Sequence, residues 1–322
     1  MSVPIVSADA LRARVSLGDL VEPVARAFQD FSDGLADAGL ITMFPAEQPA
    51  LGDVYVKTGS IKGHAIYIVK VSPWFAVNVK AGQPQGGFIA AFDVQTGHTR
   101  AILAEEHYLS DIRTAAAGAL AARALAPRTV QTATVLGTGV QAFWQPQALY
   151  SERPFATLLI WGRDGEKARQ LAARLQSRLP EVTIVVESDL EVAVRAADVL
   201  LTTTLAREPL VKGKWLRPGQ HITAIGADDQ TKCELDAECL RRADRLIVDS
   251  IESTRLYGDV ARHLAQGGIA PERVHGEIGS VLSGKLAGRS RDDEITIAKF
   301  VGLGVQDLAA AEVSLAKLGL QP

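Results

Sequence analysis

Cysteine is scarce in this sequence, which has only Cys233 and Cys239 among its 322 residues. Neither belongs to a CxxC motif or to a cysteine–histidine cluster, so neither a disulfide framework nor a metal site is predicted. Basic tracts are missing as well, because the 34 lysine and arginine residues are dispersed among 37 acidic ones. A nucleic-acid-binding protein would cluster its positive charge, and that class is therefore excluded.

Long apolar runs are also absent. The apolar runs that occur, such as Ile184–Val186 and Val199–Leu201, are far too short to span a membrane. The first residues, Met1–Asp9, lack the basic head and long apolar core of a signal peptide. We therefore expect a cytoplasmic protein that binds neither nucleic acid nor membranes. Its length and its 47% hydrophobic content suffice for two domains, each with its own core.

The first part of the chain has the pattern of a small α+β domain. Apolar residues recur at helical spacing over Leu20–Phe31, and Gly34 is predicted to end this helix. Four short strands separated by glycine- or proline-bearing turns are then predicted at Val54–Lys57, His64–Lys70, Gly87–Asp93 and Thr99–Ala104. A helix over Ser110–Ala126 follows, capped by Ser110 and ended by Pro127.

After Pro127, strands and helices alternate. Strands are predicted at 132–136, 157–161, 182–187, 199–203, 221–225 and 245–249, with helices between them, notably Glu166–Ser177, Leu190–Ala196 and Leu235–Arg242. This alternation favours an α/β fold with a doubly wound parallel sheet. Helical patterning from Ile295 to Leu318 is predicted to return to the first domain. The predicted domains are residues 1–126, joined by a C-terminal helix at about 300–322, and residues 127–299.

The first predicted strand of the second domain ends in a glycine-rich turn. Gly137, Gly139 and Ala142 form the G-x-G-x-x-A pattern of a dinucleotide-binding turn. In that pattern the first glycine permits a tight turn, the second leaves room for a pyrophosphate, and the alanine lets helix and strand pack closely. The helix that opens at Val140 and Gln141 would direct its free N–H groups toward the phosphates. The motif alone is weak, and its strand–turn–helix context favours dinucleotide binding.

The end of the second strand bears on the choice of cofactor. NAD-binding turns usually carry an acid at this position, whereas Leu158–Gly162 ends in glycine and is followed by Arg163. A guanidinium there can pair with the 2′-phosphate of NADP. Asp164 leaves NAD open, because its carboxylate can accept the ribose hydroxyls or neutralise Arg163. We predict NADP, with NAD as the alternative, and we place Thr203 in the same cofactor site.

Several short motifs follow one another in a specific order. They are Val69–Ser72, Asn78 with Gly82 and Pro84, Phe92–Gly97, Leu109–Ala117, Leu136–Ala142, Ala224–Asp228, Glu234–Asp236, Val248–Ser250, Glu277–Gly284 and Glu294–Thr296. In this order the sequence resembles the ornithine cyclodeaminase/mu-crystallin family over nearly its whole length. The resemblance implies a Rossmann-type domain that binds a nicotinamide cofactor, a separate substrate domain, and a homodimer.

The resemblance also implies site residues in both domains. The family's catalytic lysine falls on Lys70, its substrate-binding arginine on Arg113 and its active-site aspartate on Asp228. Asn78 and Lys70 are further predicted to contact the substrate. Lys70 ends an apolar strand, where burial suits an amine to proton transfer; a lysine with an exposed ammonium is the alternative.

Arg113 and Asp228 have alternative roles that the sequence leaves open. Arg113 lies in the first turn of its predicted helix, where a cation needs an opposing anion. A substrate carboxylate would supply it, and so would Asp111 or another acid of the chain. Asp228 follows a strand end, the edge at which doubly wound sheets bind ligands. The alternative is a turn or cap acid, a role equally open to Asp229.

The sequence departs from the family's pattern at two places. Family members that bind amino acids usually carry another arginine in the N-terminal strand region, and Gly39–Pro45 has none. The substrate carboxylate is therefore held differently here, or the substrate is not ornithine. The family also commonly has a serine before Val301-Gly302, where this chain has Phe300. Its ring either reshapes the nicotinamide pocket or fills the core, and we favour the core.

The resemblance implies three possible functions. The first is an NAD(P)H-dependent reductase of a cyclic 2-carboxy imine, or the reverse dehydrogenation of an amino acid. The second is an ornithine cyclodeaminase that recycles bound NAD and releases ammonia. The third is a binding protein of the mu-crystallin type, dependent on NADP, that turns nothing over. We favour the reductase, because Lys70, Arg113 and Asp228 are all present and a pure binding protein has no need of all three.

Overall fold

The computed structural model describes residues 3–48 and 51–320. They fall into two compact units: unit 1 within residues 1–117 and 302–322, and unit 2 within residues 118–301. The predicted division assigned residues 118–126 to the first domain, whereas their contacts group them with the second. Ala122 and Ala126 lie in the buried core of unit 2, beside Val130 and Ala133.

Unit 1 is built on a mixed six-stranded sheet. Its strands are β1 Ile5–Ser7, β2 Ala36–Met43, β3 Gly52–Ile61, β4 Ile66–Phe75, β5 Phe88–Asp93 and β6 Thr99–Ala104, in the order β1-β6-β5-β4-β3-β2. Neighbouring strands are antiparallel except for β1, which runs parallel to β6. The helices are α1 Ala8–Arg14, α2 Leu17–Ser32, α3 Ala76–Ala81, α4 Tyr108–Leu125, which continues into unit 2, and a C-terminal helix, Gly304–Lys317.

The C-terminal helix begins against the backbone of β3. A Cβ on Gly304 would lie 1.9 Å from the carbonyl oxygen of Thr58, and one on Gly59 would lie 2.5 Å from the carbonyl oxygen of Gly304. Only glycine allows so close an approach at both positions. The first turn of the helix is therefore fixed against the sheet, and so are the polar side chains that it carries, Gln306 and Asp307.

Helix α4 begins at Tyr108, so the predicted start at Ser110 is wrong. Ser110 does not cap the helix: its backbone N–H and its hydroxyl both donate to the carboxylate of Glu105, at 2.7 Å each. The chain turns into the helix through Glu106 and His107, which have φ values of 48° and 65°. A turn made by two left-handed residues other than glycine leaves no glycine in the sequence to mark it.

Unit 2 is an eight-stranded parallel sheet covered by helices. Its strands are β7 Thr132–Leu136, β8 Thr157–Trp161, β9 Thr183–Val186, β10 Val199–Thr202, β11 His221–Ala224, β12 Arg245–Val248, β13 Gly276–Glu277 and β14 Thr296–Lys299. The helices are α5 Val140–Glu152, α6 Gly165–Gln176, α7 Leu190–Ala196, α8 Ala237–Arg242, α9 Ile251–Thr254, α10 Gly258–Ala265 and α11 Ile278–Leu282. Short 3-10 turns occur at Gly213–Trp215 and Pro271–Arg273.

The strand order of unit 2 confirms the predicted doubly wound sheet. It is β13-β12-β14-β11-β10-β7-β8-β9, with all pairs parallel. The chain passes outward from β7 through β8 to β9, and then returns to β10 on the other side of β7. The order therefore reverses between β7 and β10, the position at which such sheets bind ligands beyond the carboxyl ends of their strands.

The predicted helix from Ile295 onward is wrong at its start. Residues Thr296–Lys299 form the strand β14, which lies between β11 and β12, and all four residues are buried. A segment of four residues fits a buried strand as well as a helix, so periodicity cannot distinguish the two here. Phe300, which follows this strand, is 3% exposed, in agreement with a role in the core.

The structure also shows the surroundings of the two cysteines and the lengths of the apolar helices. Cys233 and Cys239 are buried, unpaired thiols, and burial raises the pKa of each. Among the helices formed by residues 3–48 and 51–320, none is long and apolar enough to cross a membrane.

Candidate active site

In unit 1, Lys70 lies in the middle of strand β4 with its ammonium fully buried. Its side chain is 1% exposed, which rules out the alternative of an exposed head. Its Nζ donates to Oδ1 of Asp307 at 2.8 Å and lies 3.8 Å from Oε1 of Glu105. A buried ammonium requires such partners because its desolvation is otherwise unfavourable by several kcal/mol.

Arg113 shares the same carboxylate oxygen with Lys70. Its Nε donates to Oδ1 of Asp307 at 2.9 Å, and its Nη1 donates to the amide oxygen of Gln306 at 3.2 Å. The internal acid that pairs with Arg113 is therefore Asp307 and not Asp111. Because α4 starts at Tyr108, Arg113 lies in the second turn of the helix and not in the first.

Asp307 is the anion that this arrangement depends on. It is fully buried, which alone would raise the pKa of its carboxyl. The nearby charges of Arg113, Lys70 and Lys57, together with the hydrogen bond from Lys70, outweigh burial and lower the pKa to about 2. Its second oxygen, Oδ2, is buried without a hydrogen-bond partner in the part of the chain that the structure describes. Asp307 is thus a carboxylate held by cations rather than by neutral donors.

His107 lies against Ser72 and Pro73 of β4. Its Nε2 lies 2.9 Å from the carbonyl oxygen of Pro73 and 3.1 Å from Oγ of Ser72. Burial lowers the pKa of His107, and the positive charge of Lys70 lowers it further, while Glu105 acts in the opposite direction. The neutral imidazole therefore adds no positive charge to a region already rich in cations.

Lys57, which the sequence analysis did not assign to the site, belongs to the same cluster. It is the residue of β3 directly opposite Lys70 of β4, so both side chains lie on one face of the sheet. Lys57 is 6% exposed, and its Nζ donates to the carbonyl oxygen of Gly302 at 2.8 Å. We refer to Lys57, Lys70, Arg113, Glu105 and Asp307 as the charge cluster of unit 1.

Asn78 lies in the short helix α3, and its amide serves a local turn. Its Nδ2 donates to Oε1 of Gln85 at 3.2 Å. Gln85 in turn bonds the backbone N–H and carbonyl of Phe75. Within the described residues, no hydrogen bond joins Asn78 to the charge cluster, so its assignment to substrate binding stays a prediction.

In unit 2, the glycine-rich turn and the end of β10 meet where the strand order reverses. Gly137 has a φ of +122°, and a Cβ on it would lie 2.6 Å from Oγ1 of Thr203. Thr203 donates from both N and Oγ1 to the carbonyl oxygen of Leu136, each at 2.9 Å. Glycine is therefore required at 137 by the protein itself, and Thr203 holds the turn in place.

In contrast to Gly137, Gly139 has no described neighbour in unit 2 that would exclude a side chain. A Cβ built on it would meet no described atom within 4 Å. It is the N-cap residue of the thirteen-residue helix α5, and as a glycine it has no side chain with which to cap the first N–H groups of that helix. Val140 is 48% exposed there, while Ala142 is buried against the sheet. The turn therefore has open space at the N-terminus of a helix, which is where a pyrophosphate is bound in such turns.

The two charged residues after β8 have different surroundings. Oδ1 of Asp164 accepts from the backbone N–H groups of Glu166 and Lys167, at 3.0 and 3.2 Å, so this carboxylate caps helix α6. Arg163 is exposed and makes no hydrogen bond or ion pair with any residue that the structure describes. Asp164 therefore does not neutralise Arg163, and that alternative role of Asp164 is ruled out.

The two aspartates after β11 are likewise distinguished by their contacts. Asp229 is the turn acid: its Oδ1 accepts from N and Oγ1 of Thr231 and from N of Lys232, at 2.6 to 2.9 Å. Burial acts to raise the pKa of Asp229, and the charge of Lys232 and the bonds from Thr231 overcome it and lower the pKa. Asp228 is 36% exposed, and its carboxylate accepts from Nζ of Lys232 at 2.6 Å.

The carboxylate of Glu234 forms hydrogen bonds with residues at the carboxyl ends of both β10 and β11. Its buried carboxylate accepts from Oγ1 of Thr202 at 2.7 Å, from N and Oγ1 of Thr204 at 2.6 and 2.8 Å, and from N of Gly226 at 2.9 Å. Burial raises its pKa, and the neighbouring Asp259 adds to this effect. Glu234 lies in a motif of the resemblance, but only its contacts indicate that it fixes the loop that carries Asp228.

Comparison with known proteins decides the family. The sequence model of the ornithine cyclodeaminase/mu-crystallin family matches residues 4–317. The chain belongs to this family. A member from Sinorhizobium fredii, named as an uncharacterized cyclodeaminase, is 40% identical over 264 residues, which cover 82% of this chain and 80% of that protein.

Two solved structures share the fold of this family member over almost its whole length. The Δ1-pyrroline-2-carboxylate reductase of Thermococcus litoralis, in complex with NADH and L-proline, superposes with a TM-score of 0.92 at 28% identity and covers 99% of each chain. An archaeal alanine dehydrogenase dimer with bound NAD gives a TM-score of 0.90 at 29% identity and covers 98% of this chain and 96% of the other. Structural neighbours with this fold therefore bind NAD or NADH.

Proposed function

We propose that this protein is an NAD(P)H-dependent reductase of a cyclic 2-carboxy imine, or acts in reverse as an amino acid dehydrogenase. The observation that carries the proposal is the charge cluster of unit 1. In this cluster Lys70 and Arg113 both donate hydrogen bonds to one buried acid, Asp307. The two residues occupy the positions of the family's catalytic lysine and substrate-binding arginine. The similarity to a reductase solved with NADH and L-proline supports the same reaction class.

The charge cluster would bind and orient the substrate. A carboxylate next to the C=N bond would pair with the guanidinium of Arg113 and the ammonium of Lys70, and this would fix the imine carbon in one place. Asp228, whose carboxylate accepts a hydrogen bond from the ammonium of Lys232, would be the acid that stabilises a protonated imine nitrogen or exchanges a proton with it. Asp229 would serve the loop, because its Oδ1 already accepts from the backbone N–H groups of Thr231 and Lys232 and its Oδ2 lies 3.2 Å from Nζ of Lys232.

The cofactor would be held by the turn after β7. Gly137, Gly139 and the first N–H groups of α5, at Val140 and Gln141, would bind its pyrophosphate. When bound, a reduced nicotinamide supplies the hydride that adds to the imine carbon. Thr203 would keep the turn in its shape through its two bonds to Leu136.

The reaction can be tested directly. The absorbance of NADPH, and then of NADH, should fall when the protein is mixed with a five- or six-membered cyclic 2-carboxy imine, in proportion to the imine added. Ammonia should be measured in parallel with ornithine and lysine as substrates. Release of ammonia without net consumption of the cofactor would contradict the reductase, and so would the absence of any turnover with imines.

We further propose that the cofactor is NADP and that Arg163 binds its 2′-phosphate. This guanidinium is exposed and unpaired among the described residues, so it is available to the 2′-phosphate. Replacing Arg163 by alanine should weaken NADPH binding by about tenfold or more, since a hydrogen bond to a charged group contributes about 1.5–3 kcal/mol. NADH binding should stay within about twofold of its original value.

The control for Arg163 is Arg169→Ala, measured by the same cofactor titration. Arg169 is also exposed and lies on α6, but it is already paired with Glu166 at 2.8 Å. Its loss should leave both cofactors unaffected. Equal losses of NADPH and NADH binding in the Arg163 variant would mean that NAD is the cofactor or that another group reads the phosphate.

A cyclodeaminase is the second candidate, and the similarity to a protein of that name favours it. This reaction needs an acid for the distal ammonium of ornithine. Asp228 could provide it only by exchanging its present partner, Lys232, for the substrate. The ammonia assay above separates this reaction from imine reduction, because the cyclodeaminase restores its cofactor at every turnover.

We also propose a homodimer. Unit 1 exposes apolar side chains on its edge strand β2 and on α3: Ile41 is 62% exposed, Met43 44%, Val77 65% and Val79 55%. Large exposed apolar residues of this kind favour association, and an alanine dehydrogenase with the same fold is a dimer. A solution mass of one chain, 34.3 kDa, measured by light scattering, would contradict the proposal.

A further inference from the structure

A lysine is buried at the end of a central strand of unit 2. Lys299 is the last residue of β14, which lies between β11 and β12, and its side chain is 0% exposed. Central strands of a parallel sheet are normally apolar, because helices cover both of their faces. The ammonium of Lys299 therefore occupies a place where an aliphatic side chain is the ordinary choice, and its contacts must account for it.

The ammonium of Lys299 contacts one acid and the backbone of the loop after β11. Its Nζ lies 3.1 Å from Oδ2 of Asp259 and donates to the carbonyl oxygen of Ala227 at 2.5 Å. A longer contact, at 3.5 Å, joins it to the carbonyl oxygen of Ala224 at the end of β11. Because Ala227 is fully buried, its carbonyl needs a donor from within the protein, and Lys299 supplies one.

Asp259 bonds the same loop at its other end. It is fully buried, and its Oδ1 accepts from the backbone N–H groups of Glu234 and Leu235, at 2.6 and 2.8 Å. One oxygen of Asp259 thus bonds the loop, and the other lies against the ammonium of Lys299. The ion pair of Lys299 and Asp259 therefore links the start of the loop to the residues at which it ends.

Gly258 holds the loop on the far side of Asp228. Its φ is +73°, and a Cβ on it would lie 2.4 Å from the carbonyl oxygen of Ala227 and 2.9 Å from Cε of Lys299, so this position requires glycine. Its backbone N–H donates to the carbonyl oxygen of Asp229 at 2.8 Å. Since a peptide unit is planar, the bond to Ala227 fixes the peptide that directly precedes Asp228. Asp228 therefore lies between two backbone carbonyls that are both held.

Stability alone does not account for the ion pair. A buried pair can often be replaced by well-packed apolar residues without loss of stability, because desolvation of the two charges offsets their attraction. Apolar residues, however, could neither donate to the carbonyl of Ala227 nor accept from the backbone at the end of the loop. What Lys299 and Asp259 supply in excess of an apolar pair is a fixed backbone around Asp228.

We propose that Lys299 is a positioning residue for Asp228: together with Asp259, it holds the backbone so that the carboxylate of Asp228 meets the substrate in one orientation. This inference rests on the proposed function, in which Asp228 acts on the imine nitrogen. A group that transfers a proton must come within hydrogen-bond distance of its target, and a displacement of about 1 Å can lower a rate about 100-fold. Lys299 acts through Asp228 and does not itself touch the substrate.

The test removes both charges at once, by Lys299→Met combined with Asp259→Asn. We call this double substitution the neutral-pair variant. Methionine keeps an apolar stem of similar length, and asparagine keeps an oxygen for the N–H groups of Glu234 and Leu235. No unpaired charge is then left in the core, so the variant should fold, whereas Lys299→Met alone would leave the buried Asp259 without its cation.

The neutral-pair variant should be slow but should still bind its ligands. The kcat for a cyclic 2-carboxy imine should fall about tenfold to a hundredfold, because Asp228 loses its fixed orientation. The KM for the imine should change by less than about threefold, because the interactions lost are those that act in the transition state. Cofactor affinity should stay within about twofold, since the glycine-rich turn is held by Thr203 and not by Lys299.

A third substitution shows whether Lys299 acts through Asp228. In the background of Asp228→Asn, the neutral pair should lower kcat by less than about a further twofold, because no carboxylate is left to position. A lysine that only stabilises unit 2 would lower kcat by the same factor in both backgrounds, and this result would overturn the proposal. An unchanged kcat in the neutral-pair variant, or a parallel loss of cofactor affinity, would also overturn it.

The matched control is Lys212→Met. Lys212 also belongs to unit 2, and its Nζ donates to a backbone carbonyl, that of Pro209 at 2.8 Å, but this carbonyl is outside the loop that carries Asp228. The kcat and the cofactor affinity of this variant should equal those of the original chain. A loss of kcat as large as that of the neutral-pair variant would contradict a specific role for Lys299.

Hydrogen exchange separates this inference from the proposed function, because it needs no substrate. The amide of Gly258, which donates to Asp229, should exchange at least about tenfold faster in the neutral-pair variant, while the amides of β11 and β14 should keep their protection. Equal exchange of Gly258 in the two proteins would overturn the hold of Lys299 on the loop, even if imines are reduced. If ammonia release from ornithine replaces imine reduction, the proposed function fails, and the same comparison of kcat with ornithine still decides the role of Lys299.

Discussion

Replacing Asp307 by asparagine should lower the free energy of unfolding of unit 1 by about 3–5 kcal/mol, because breaking a buried ion pair leaves uncompensated charges. Oδ1 of Asp307 is shared by Lys70 and Arg113 at 2.8 and 2.9 Å. An amide in its place would leave Lys70, Arg113 and Lys57 with Glu105 as the remaining acid of the cluster. We expect this to be the most destabilising single substitution of a charged residue in unit 1.

Hydrogen exchange is the appropriate measurement, because two units need not unfold together and a single midpoint would then mix them. Amides of β3, β4 and the C-terminal helix should lose protection in Asp307→Asn, while those of unit 2 should keep it. Glu312→Gln is the matched control: Glu312 lies on the same helix and pairs with His64 at 2.8 Å, but its side chain is 27% exposed. A partly exposed pair contributes about 1 kcal/mol or less. Equal protection in the two variants would contradict the central role of Asp307.

The same carboxylate should make unit 1 sensitive to acid. The pKa of Asp307 is lowered from 3.8 to about 2 in the folded state. A depressed pKa stabilises the folded state above the ordinary value, and this contribution is lost as the pH falls toward the folded value. Exchange protection of the C-terminal helix should therefore decrease between about pH 4 and pH 2 in the original chain. In Asp307→Asn this part of the pH dependence should be missing.

Replacing Asp228 by asparagine should lower turnover about 10²- to 10⁴-fold, the usual contribution of a group that transfers a proton. Its carboxylate is the less committed of the two after β11, since Asp229 bonds the loop backbone. Cofactor binding should be unchanged, because the turn at Gly137 and Gly139 is not altered. Steady-state turnover of the imine and a separate titration of the cofactor would measure the two effects.

The matched control for Asp228 is Glu191→Gln. Both acids are partly exposed and pair with a basic residue four positions along the chain: Asp228 with Lys232 at 2.6 Å, and Glu191 with Arg195 at 2.7 Å. Loss of either pair should change stability by less than about 1 kcal/mol. If Asp228→Asn kept the turnover of the control, Asp228 would have no part in the chemistry.

Unit 2 could be predicted from the sequence because its determinants are local. The glycine-rich turn at 137–142 is contiguous, and its strand and helix flank it directly. The six predicted strands correspond to β7, β8, β9, β10, β11 and β12. The strand β14 was missed because its four residues, of which only Ile297 and Ala298 are apolar, are too few to show a periodicity that distinguishes strand from helix.

The charge cluster of unit 1 could be predicted only in part. Lys70 and Arg113 were identified from motifs, but their shared acid lies 237 and 194 residues away in the sequence, and no local pattern joins them. One signal was present: Gln306 and Asp307 are polar residues in a C-terminal helix that is otherwise rich in alanine and leucine. The pairing of Lys57 with Lys70 depends on the register of β3 and β4, which residue patterns alone did not fix.

The division of unit 1 into two separate chain segments has a consequence for how the protein is made. Unit 2 is inserted between Ala117 and Gly302, so a ribosome synthesises it before the helix that carries Asp307. Domains generally fold as units during synthesis, and unit 2 can do so as soon as its strands emerge. Unit 1 cannot complete its fold at that stage, because the three cations of its charge cluster still lack their principal counterion, Asp307. A nascent chain that stops before Gly304 would therefore hold a complete dinucleotide-binding sheet and an electrostatically unbalanced partner unit, a ready substrate for chaperones and proteases.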